Sequence, residues 1–339
     1  MKKASKAVLI STFLLLSLVL SVYYNLTNPR VLVVHSYDEN YNWVKGLNAS
    51  YLSVLKAYPR SVQLRMHYLG LLGAPNAQHK ATAAASALRA VEAFEPDVLV
   101  VFDDLAVELV TPALLNRPDL KIVFAGIDGQ RSEHGFDTAS NTTGILERVP
   151  LVALHEAMND LGRGKALTIA CLGDAGGVSV AEARQVSQHD WSPHTLLPCQ
   201  QAASYAEWQA QVKRLTTQAD VLFISGYRGV VRVPGETKVV PPAELMTWTE
   251  AHSQALPVAA KNGFVADGGA LAISSSPQEQ GQSAARLTVA LLQGKASKDL
   301  PVKEGQAFVV AMHADKLDKR GYRLPKVYEA AARAAGAYY

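Results

Sequence analysis

Short apolar runs bounded by turn residues recur along almost the whole chain, each followed by a longer segment with the helical spacing of apolar side chains. That alternation admits few folds, because strands buried on both faces must be covered by helices and so belong to parallel sheets. A first series has strands at 30–35, 62–68, 97–102 and 121–125, with helices expected at 43–57, 78–94 and 104–115. A second has strands at 166–171, 195–199, 221–225 and 257–260, with helices at 151–161, 179–190, 204–218 and 242–255. The two series echo each other: PDVLVVF (96–102) is matched by ADVLFIS (219–225), and KIVFAG (121–126) by LPVAAK (256–261). The expected fold is therefore α/β, two Rossmann-like lobes with parallel sheets joined by a hinge, with a cleft between them.

A strand at 270–275 and a helix at 278–292 have to return to one of the sheets. The expected division is lobe one at 29–145 plus 263–300, lobe two at 146–262, and a C-terminal crossover with a closing helix at 301–339. Ahead of these lies a hydrophobic helix within 1–28. Lys2, Lys3 and Lys6 precede an uncharged run at 7–24, which reads as the positive and apolar regions of an export signal. The run is also close to the ~20 residues that span a bilayer, so cleavage and retention as an inner-membrane tether are both open. No cysteine stands nearby to carry a lipid, and the expected location is periplasmic or otherwise extracytoplasmic.

The formal net charge of +3 includes those lysines, so the exported part is near neutral and lacks the long basic run of a nucleic-acid binder. The two cysteines, Cys171 and Cys199, fall at the ends of expected strands. In an oxidising compartment they form a disulfide if those strands are neighbours, and two unpaired buried thiols are the alternative. No Gly-x-Ser-x-Gly elbow, phosphate-binding loop, His-Glu-x-x-His or Cys-x-x-Cys occurs, and the nine histidines are scattered. No metal, cofactor or enzymatic activity is expected. An exported α/β hydrolase is kept only as a third class, because a Ser-His-Asp triad meets in space and not in sequence.

The segments GALAISSSPQEQG (269–281), AARLTVALLQGK (284–295) and DLPV (299–302) resemble the periplasmic substrate-binding components of ABC transporters. The likeness is to the type I family whose better-known members bind aromatic amino acids. The tail FVVAMHADKL (308–317) with GYRLP (321–325) looks like that family's closing strand and helix, although Met312 and His313 stand where the family has an asparagine. The front segment HSYDENYNW (35–43) is more similar to a subgroup of binding domains fused to, or encoded beside, membrane signalling proteins. The resemblance implies a type I periplasmic binding protein fold, monomeric in its exported part, that captures a small molecule. It also implies a membrane partner: an ABC permease or, alternatively, a membrane kinase or diguanylate cyclase.

In open α/β sheets ligands sit beyond the carboxyl ends of the strands, so residues just after each strand are the candidates. In lobe one these are Ser36, Tyr37, Asp38, Tyr41 and Trp43, then Asp103 and Asp104, then Gly126, Ile127 and Asp128. In lobe two they are Asp174 with Gly176 and Gly177, then Tyr227 and Arg228, then Lys261, Asn262 and Phe264. The expected ligand is an amino acid or related zwitterion. Arg228 or the Gly176–Gly177 turn would hold its anion, and Asp104 or Asp128 its ammonium group. Tyr37, Trp43 or Tyr227 would stack on its apolar face. Each has a plainer role: Asp104 as a helix cap, Asp128 as a turn former, Trp43 as core packing, Arg228 as a solvated charge.

Overall fold

The computed structural model describes residues 2–261 and 263–339. Helix α1 (Lys2–Thr27) leads into lobe one, where β1 (Arg30–His35), α2 (Asn42–Leu55), β2 (Gln63–Tyr68), α3 (Ala77–Phe94), β3 (Val98–Phe102), α4 (Asp104–Val110), β4 (Lys121–Ile127) and β5 (Thr142–Leu146) follow one another. The chain then crosses to lobe two. There it forms α5 (Leu151–Gly162), β6 (Thr168–Asp174), α6 (Gly177–Gln188), β7 (Thr195–Leu196), β8 (Gln200–Ala202), α7 (Tyr205–Leu215), β9 (Val221–Ile224), α8 (Pro242–His252), β10 (Leu256–Ala259) and β11 (Leu271–Ser275). It returns to lobe one for α9 (Pro277–Leu292) and β12 (Lys303–Glu304). A last crossing leads to β13 (Phe308–Met312), α10 (Ala314–Lys319) and α11 (Lys326–Ala334) in lobe two.

The sheet of lobe one has the order β12-β5-β4-β3-β1-β2 and that of lobe two β13-β11-β10-β9-β6-β7, with β8 also on β6; every pairing is parallel except β11 with β13. In both sheets the first strand of the lobe has neighbours on either side, so the strand order reverses there and leaves a crevice at its carboxyl end. Alternation along single strands makes each sheet the middle of three layers. In β1, Val31 and Val33 pack toward Trp43, Leu47 and Ala285, while Leu32 and Val34 pack toward Ala87, Val91 and Val107. In β6, Ile169 and Cys171 face Leu154 and Leu161, and Ala170 and Leu172 face Trp208 and Leu245. Cys171 and Cys199 are joined by a disulfide.

Several boundaries differ from the sequence reading. Residues 263–275, expected in lobe one, lie in lobe two, because β11 is the parallel neighbour of β10 and pairs antiparallel with β13; the chain crosses only at Ser276. The segment expected as one C-terminal unit is divided: β12 completes the sheet of lobe one and the rest belongs to lobe two. The strand expected at 195–199 is split into β7 and β8 around Pro198, which has no N–H for a ladder. The helix expected at 104–115 stops at Val110 and tightens to a 3-10 turn at Thr111–Ala113, with Pro112 in the turn. The return to lobe one is fixed by packing of α9 on α2. A Cβ on Gly281 would lie 2.4 Å from the Leu47 carbonyl oxygen, so only glycine permits that approach.

Among the described residues no helix is long and apolar enough to cross a membrane. Helix α1 does leave a row of apolar side chains exposed, including Leu9, Ile10, Phe13 and Leu14.

Candidate functional site

Three parallel strands of lobe one, β1, β3 and β4, end side by side and deliver their next residues to one spot. The residue after β3, Asp103, has φ 70° and ψ 155°, a region nearly confined to glycine, at a strain of about 1–3 kcal/mol. It is held there by its own N–H, which donates to the Ala125 carbonyl at 3.0 Å, and by Trp43 Nε1, which donates to Asp103 Oδ1 at 2.7 Å. The next strand, β4, is interrupted in register at Gly126, whose φ of +69° turns the chain so that Asp128, just after the strand, joins Asp103 in one lining. A side chain on Gly126 would press on Asp103 Oδ1 at 3.2 Å.

Together with Lys261, Ala260 and Val178 of lobe two, these residues enclose a chamber of about 60 Å³ between the lobes. That is space for a few waters or a small polar molecule, and a larger guest requires the lobes to part slightly. One wall is aromatic, made by Tyr37, Tyr41 and Trp43, with Tyr37 and Tyr41 edge to face at 5.5 Å. The lining also holds the acids Asp103, Asp104, Asp128 and Glu147, with Trp43 bonded directly to Asp103. Asp103 and Asp128 are at most 5% exposed, and each keeps one carboxylate oxygen, Oδ2 and Oδ1 respectively, without a hydrogen-bond partner among the described residues.

Burial raises both carboxyls well above the usual carboxylate range; the Trp43 N–H pulls Asp103 partly back, and the nearby Glu147 charge pushes Asp128 further up. Burial also raises Glu147, against the pull of Lys261. Behind the chamber, Lys261 Nζ pairs with Glu182 on α6. Burial pushes Glu182 up to about 8 in spite of that pairing. For Lys261, burial disfavours the charge, but Glu182, Asp128 and Glu147 outweigh it and hold the ammonium form above its ordinary range.

The lobes touch around this chamber. Gln185 of α6 accepts from the Val149 N–H at 3.0 Å and donates to the Asp128 carbonyl at 3.3 Å, Arg184 pairs with Glu133 at 2.6 Å, and the Arg228 guanidinium lies 5.4 Å from the Tyr41 ring centre. The crossing segments are pinned by buried Gln280, which accepts from the Gly126 N–H at 2.9 Å and donates to the Leu146 carbonyl at 3.3 Å. A movement of the hinge therefore shifts Gly126 and its neighbours directly.

Solved structures share this architecture. The ABC domain in complex with L-Trp from Streptococcus pneumonia aligns with TM-score 0.67 at 14% identity, over 90% of this chain and 98% of that one. A conserved domain protein from Vibrio cholerae gives 0.64 at 18% identity, over 90% and 98%. The ligand-free, open structure of a substrate-binding protein with adhesive properties from Clostridium difficile gives 0.61 at 15%, over 88% and 96%. This chain has the type I periplasmic binding protein fold. No protein-family model and no curated protein matches the sequence.

Within that fold, the structure brings Tyr37, Trp43, Asp104, Gly126, Asp128 and Lys261 to the interlobe chamber, along with Tyr41 and Asp103. Others among the expected site residues serve the scaffold. Ser36 is fully buried, donating to the Phe102 carbonyl at 3.1 Å and accepting from the Ala106 N–H at 2.8 Å, so it ties β1 to the start of α4. Asp38 is exposed and does not line the chamber. Tyr227 is buried and donates to Asp267 at 2.6 Å, and Arg228 is neither a solvated charge nor an open anion site, because it pairs with the same carboxylate. At the Gly176–Gly177 turn, Asp174 accepts from the Gly176 and Gly229 N–H groups at 2.9 and 2.8 Å, which takes one of the turn's N–H groups. Asp104 is not the cap of its own helix, where Asp103 is the capping residue; it accepts instead from the N–H groups of Asp128 and Gly129, each at 3.0 Å. Ile127 and Phe264 are core residues, and Asn262 lies outside the described residues.

Glu147, Val178, Ala260 and Glu182 escaped the sequence reading. Glu147 lies in a crossing segment, identifiable only once the lobes are. Glu182 carried a signal: with Ser179, Ala183 and Val186 it falls on the buried stripe of α6, where an acid has no structural reason to stand. A wider groove of about 570 Å³, lined by Tyr205, Trp248 and His252, opens on lobe two. A guest there touches one lobe only and has no leverage on the hinge.

Proposed function

We propose that this protein is an extracytoplasmic solute-binding protein whose lobes close on a small organic ligand bearing an ammonium-type group, a class that includes the amino acids. The observation that carries the reading is the pair of unpartnered, buried carboxylate oxygens on Asp103 and Asp128, which share with Tyr37, Tyr41 and Trp43 the lining of a chamber between the lobes. A buried carboxylate without a partner is costly, and a cationic ligand removes that cost only when the lobes are together. Binding then favours the closed form over the open one, which is all that closure requires. The protein performs no chemistry in this reading. Export is supported by the lysines ahead of the uncharged run at 7–24 and by the exposed apolar side chains of α1.

The proposed destination of the ligand is an ABC permease. Presentation of the closed lobes to a membrane kinase or diguanylate cyclase is the second reading, favoured by the sensor-like segment 35–43, whose Tyr37, Tyr41 and Trp43 line the chamber. Permease and ATPase genes beside this one support the first, a kinase or cyclase gene the second. The binding function itself is tested by a thermal-shift screen of amino acids, amines, nucleosides and sugars, since a ligand specific for the native state raises its melting temperature. The expected result is a hit whose shift disappears in Asp103→Asn and Asp128→Asn. A hit that shifts both variants as it does the wild type excludes this chamber as the site.

A further inference from the structure

We infer that the chamber takes an organic cation of net positive charge, an alkyl diammonium or similarly basic small molecule, in preference to a neutral zwitterion. This rests on the solute-binding reading above and names the charge class of its ligand. Three cationic side chains lie near the chamber, and each already has an acid of its own outside the lining. Lys261 pairs with Glu182, Arg228 with Asp267 at a rim position, and Arg148 with Glu304 at 3.0 Å while its Nη1 donates to the Asp128 and Glu147 carbonyls. At the turn before α6, Asp174 takes the Gly176 N–H. A ligand carboxylate at any of the three side chains would therefore have to compete with an existing acid.

The acids are in the opposite condition. Asp104 is bonded to two backbone N–H groups, with His134 at 3.6 Å, whereas Asp103, Asp128 and Glu147 have no cation within ion-pair distance among the described residues, the Lys261 charge acting on Asp128 and Glu147 only from farther off. The unpartnered oxygens of Asp103 and Asp128 are the two such buried acceptors in the chamber lining, one at the end of β3 and one just beyond β4, while Glu182 Oε2 is a further one behind Lys261. One ammonium group satisfies one such site, and the second oxygen and the Glu147 charge call for another. The aromatic wall suits the methylene groups between them, since alkylammonium carbons pack against ring faces.

The test is calorimetric titration of the purified protein with charge-differing pairs of matched length: 1,4-diaminobutane against 4-aminobutanoate, and lysine against norleucine. The expected result is that a positively charged member binds at least tenfold tighter than its zwitterionic partner. That preference shrinks at least tenfold in Asp128→Asn and in Glu147→Gln, with folding checked by circular dichroism. Zwitterions that bind as tightly as the cations overturn the charge inference and leave the solute-binding reading standing. Ca²⁺ that binds and blocks the diamine also overturns it, in favour of a metal site. If no compound in these pairs or in the wider screen binds, both the inference and the reading beneath it fail.

Discussion

Trp43 Nε1 donates a 2.7 Å hydrogen bond to Asp103 Oδ1, joining the second residue of α2 to the residue that follows β3 at the floor of the interlobe chamber. The bond fixes which carboxylate oxygen is used up and which one, Oδ2, is left for a guest. Removing the indole N–H in Trp43→Phe leaves a buried acid with neither oxygen partnered by a side chain. It is expected to lower unfolding stability by about 1–3 kcal/mol. Asp103→Asn keeps an acceptor for Trp43 and removes the carboxyl whose ionisation burial opposes. Urea unfolding at pH 8 is expected to show this variant at least as stable as the wild type, although it no longer responds to ligand.

Stability of the ligand-free protein should fall between pH 7 and pH 9. The folded-state values of Asp103, Asp128, Glu147 and Glu182 all lie above those of an unfolded chain, so folding retains protons that the unfolded chain releases. That contribution is complete below the unfolded carboxylate range, about pH 4, and is lost as pH rises through each folded-state value. The groups facing this cluster are Lys261, Arg148, Arg228, His134, Asp104, Asp174, Asp267, Tyr37 and Tyr41, from both lobes. Glu182, near 8, accounts for about 1 kcal/mol of the fall across that window. Denaturation midpoints that are flat or rising from pH 7 to pH 9 contradict this, and Glu182→Gln should flatten the slope. At the acid side the sign reverses: His35, buried and lowered to about 4, costs stability as pH drops below 6.5.

Much of the fold is legible in the residues themselves. A run such as VLVVF at 98–102, apolar at every position, specifies a strand covered on both faces, and all five residues are buried. What escaped was decided by distant partners. The sheet that receives Leu271–Ser275 depends on β13, more than thirty residues on, which nothing local announces. Of the adjacent acids Asp103 and Asp104, which one presents an open oxygen depends on a φ of 70° at a strand end and on a tryptophan sixty residues away. Arg228 reads as an open anion site until Asp267 is placed beside it.

Gln185 should matter more to ligand affinity than the ion pair next to it. Its amide bridges Val149 at the crossing and the Asp128 carbonyl, half-buried, whereas Arg184 and Glu133 are 46% and 44% exposed. An exposed pair contributes about 0–1 kcal/mol and is screened by salt. Arg184→Ala is expected to weaken ligand binding less than about fivefold, and less still at high salt. Gln185→Ala, losing two hydrogen bonds of about 1 kcal/mol each, should weaken it about tenfold or more by calorimetry. The opposite ranking would show that the closed form is held at the rim and not beside the chamber.

Reducing the Cys171–Cys199 bridge should destabilise lobe two without touching the ligand. The bridge closes a loop of sequence separation 28, which in the chain-entropy picture corresponds to about 3–4 kcal/mol, and neither cysteine lines the chamber. Cys171→Ala with Cys199→Ala is expected to lower the unfolding free energy from urea titration by that amount and leave the dissociation constant unchanged. A loss of affinity larger than the loss of stability would tie the bridge to the hinge.

The chain has four tryptophans, and only Trp43 lines the interlobe chamber, while Trp248 lines the wider groove on lobe two. Their indole N–H signals in a ¹H–¹⁵N correlation spectrum, with Trp43 assigned through Trp43→Phe, therefore report where any ligand from the screen binds. Closure on a small molecule between the lobes predicts that saturating ligand moves the Trp43 signal and leaves Trp248 in place. A ligand that moves Trp248 while the Trp43 signal stays where it was contradicts the account.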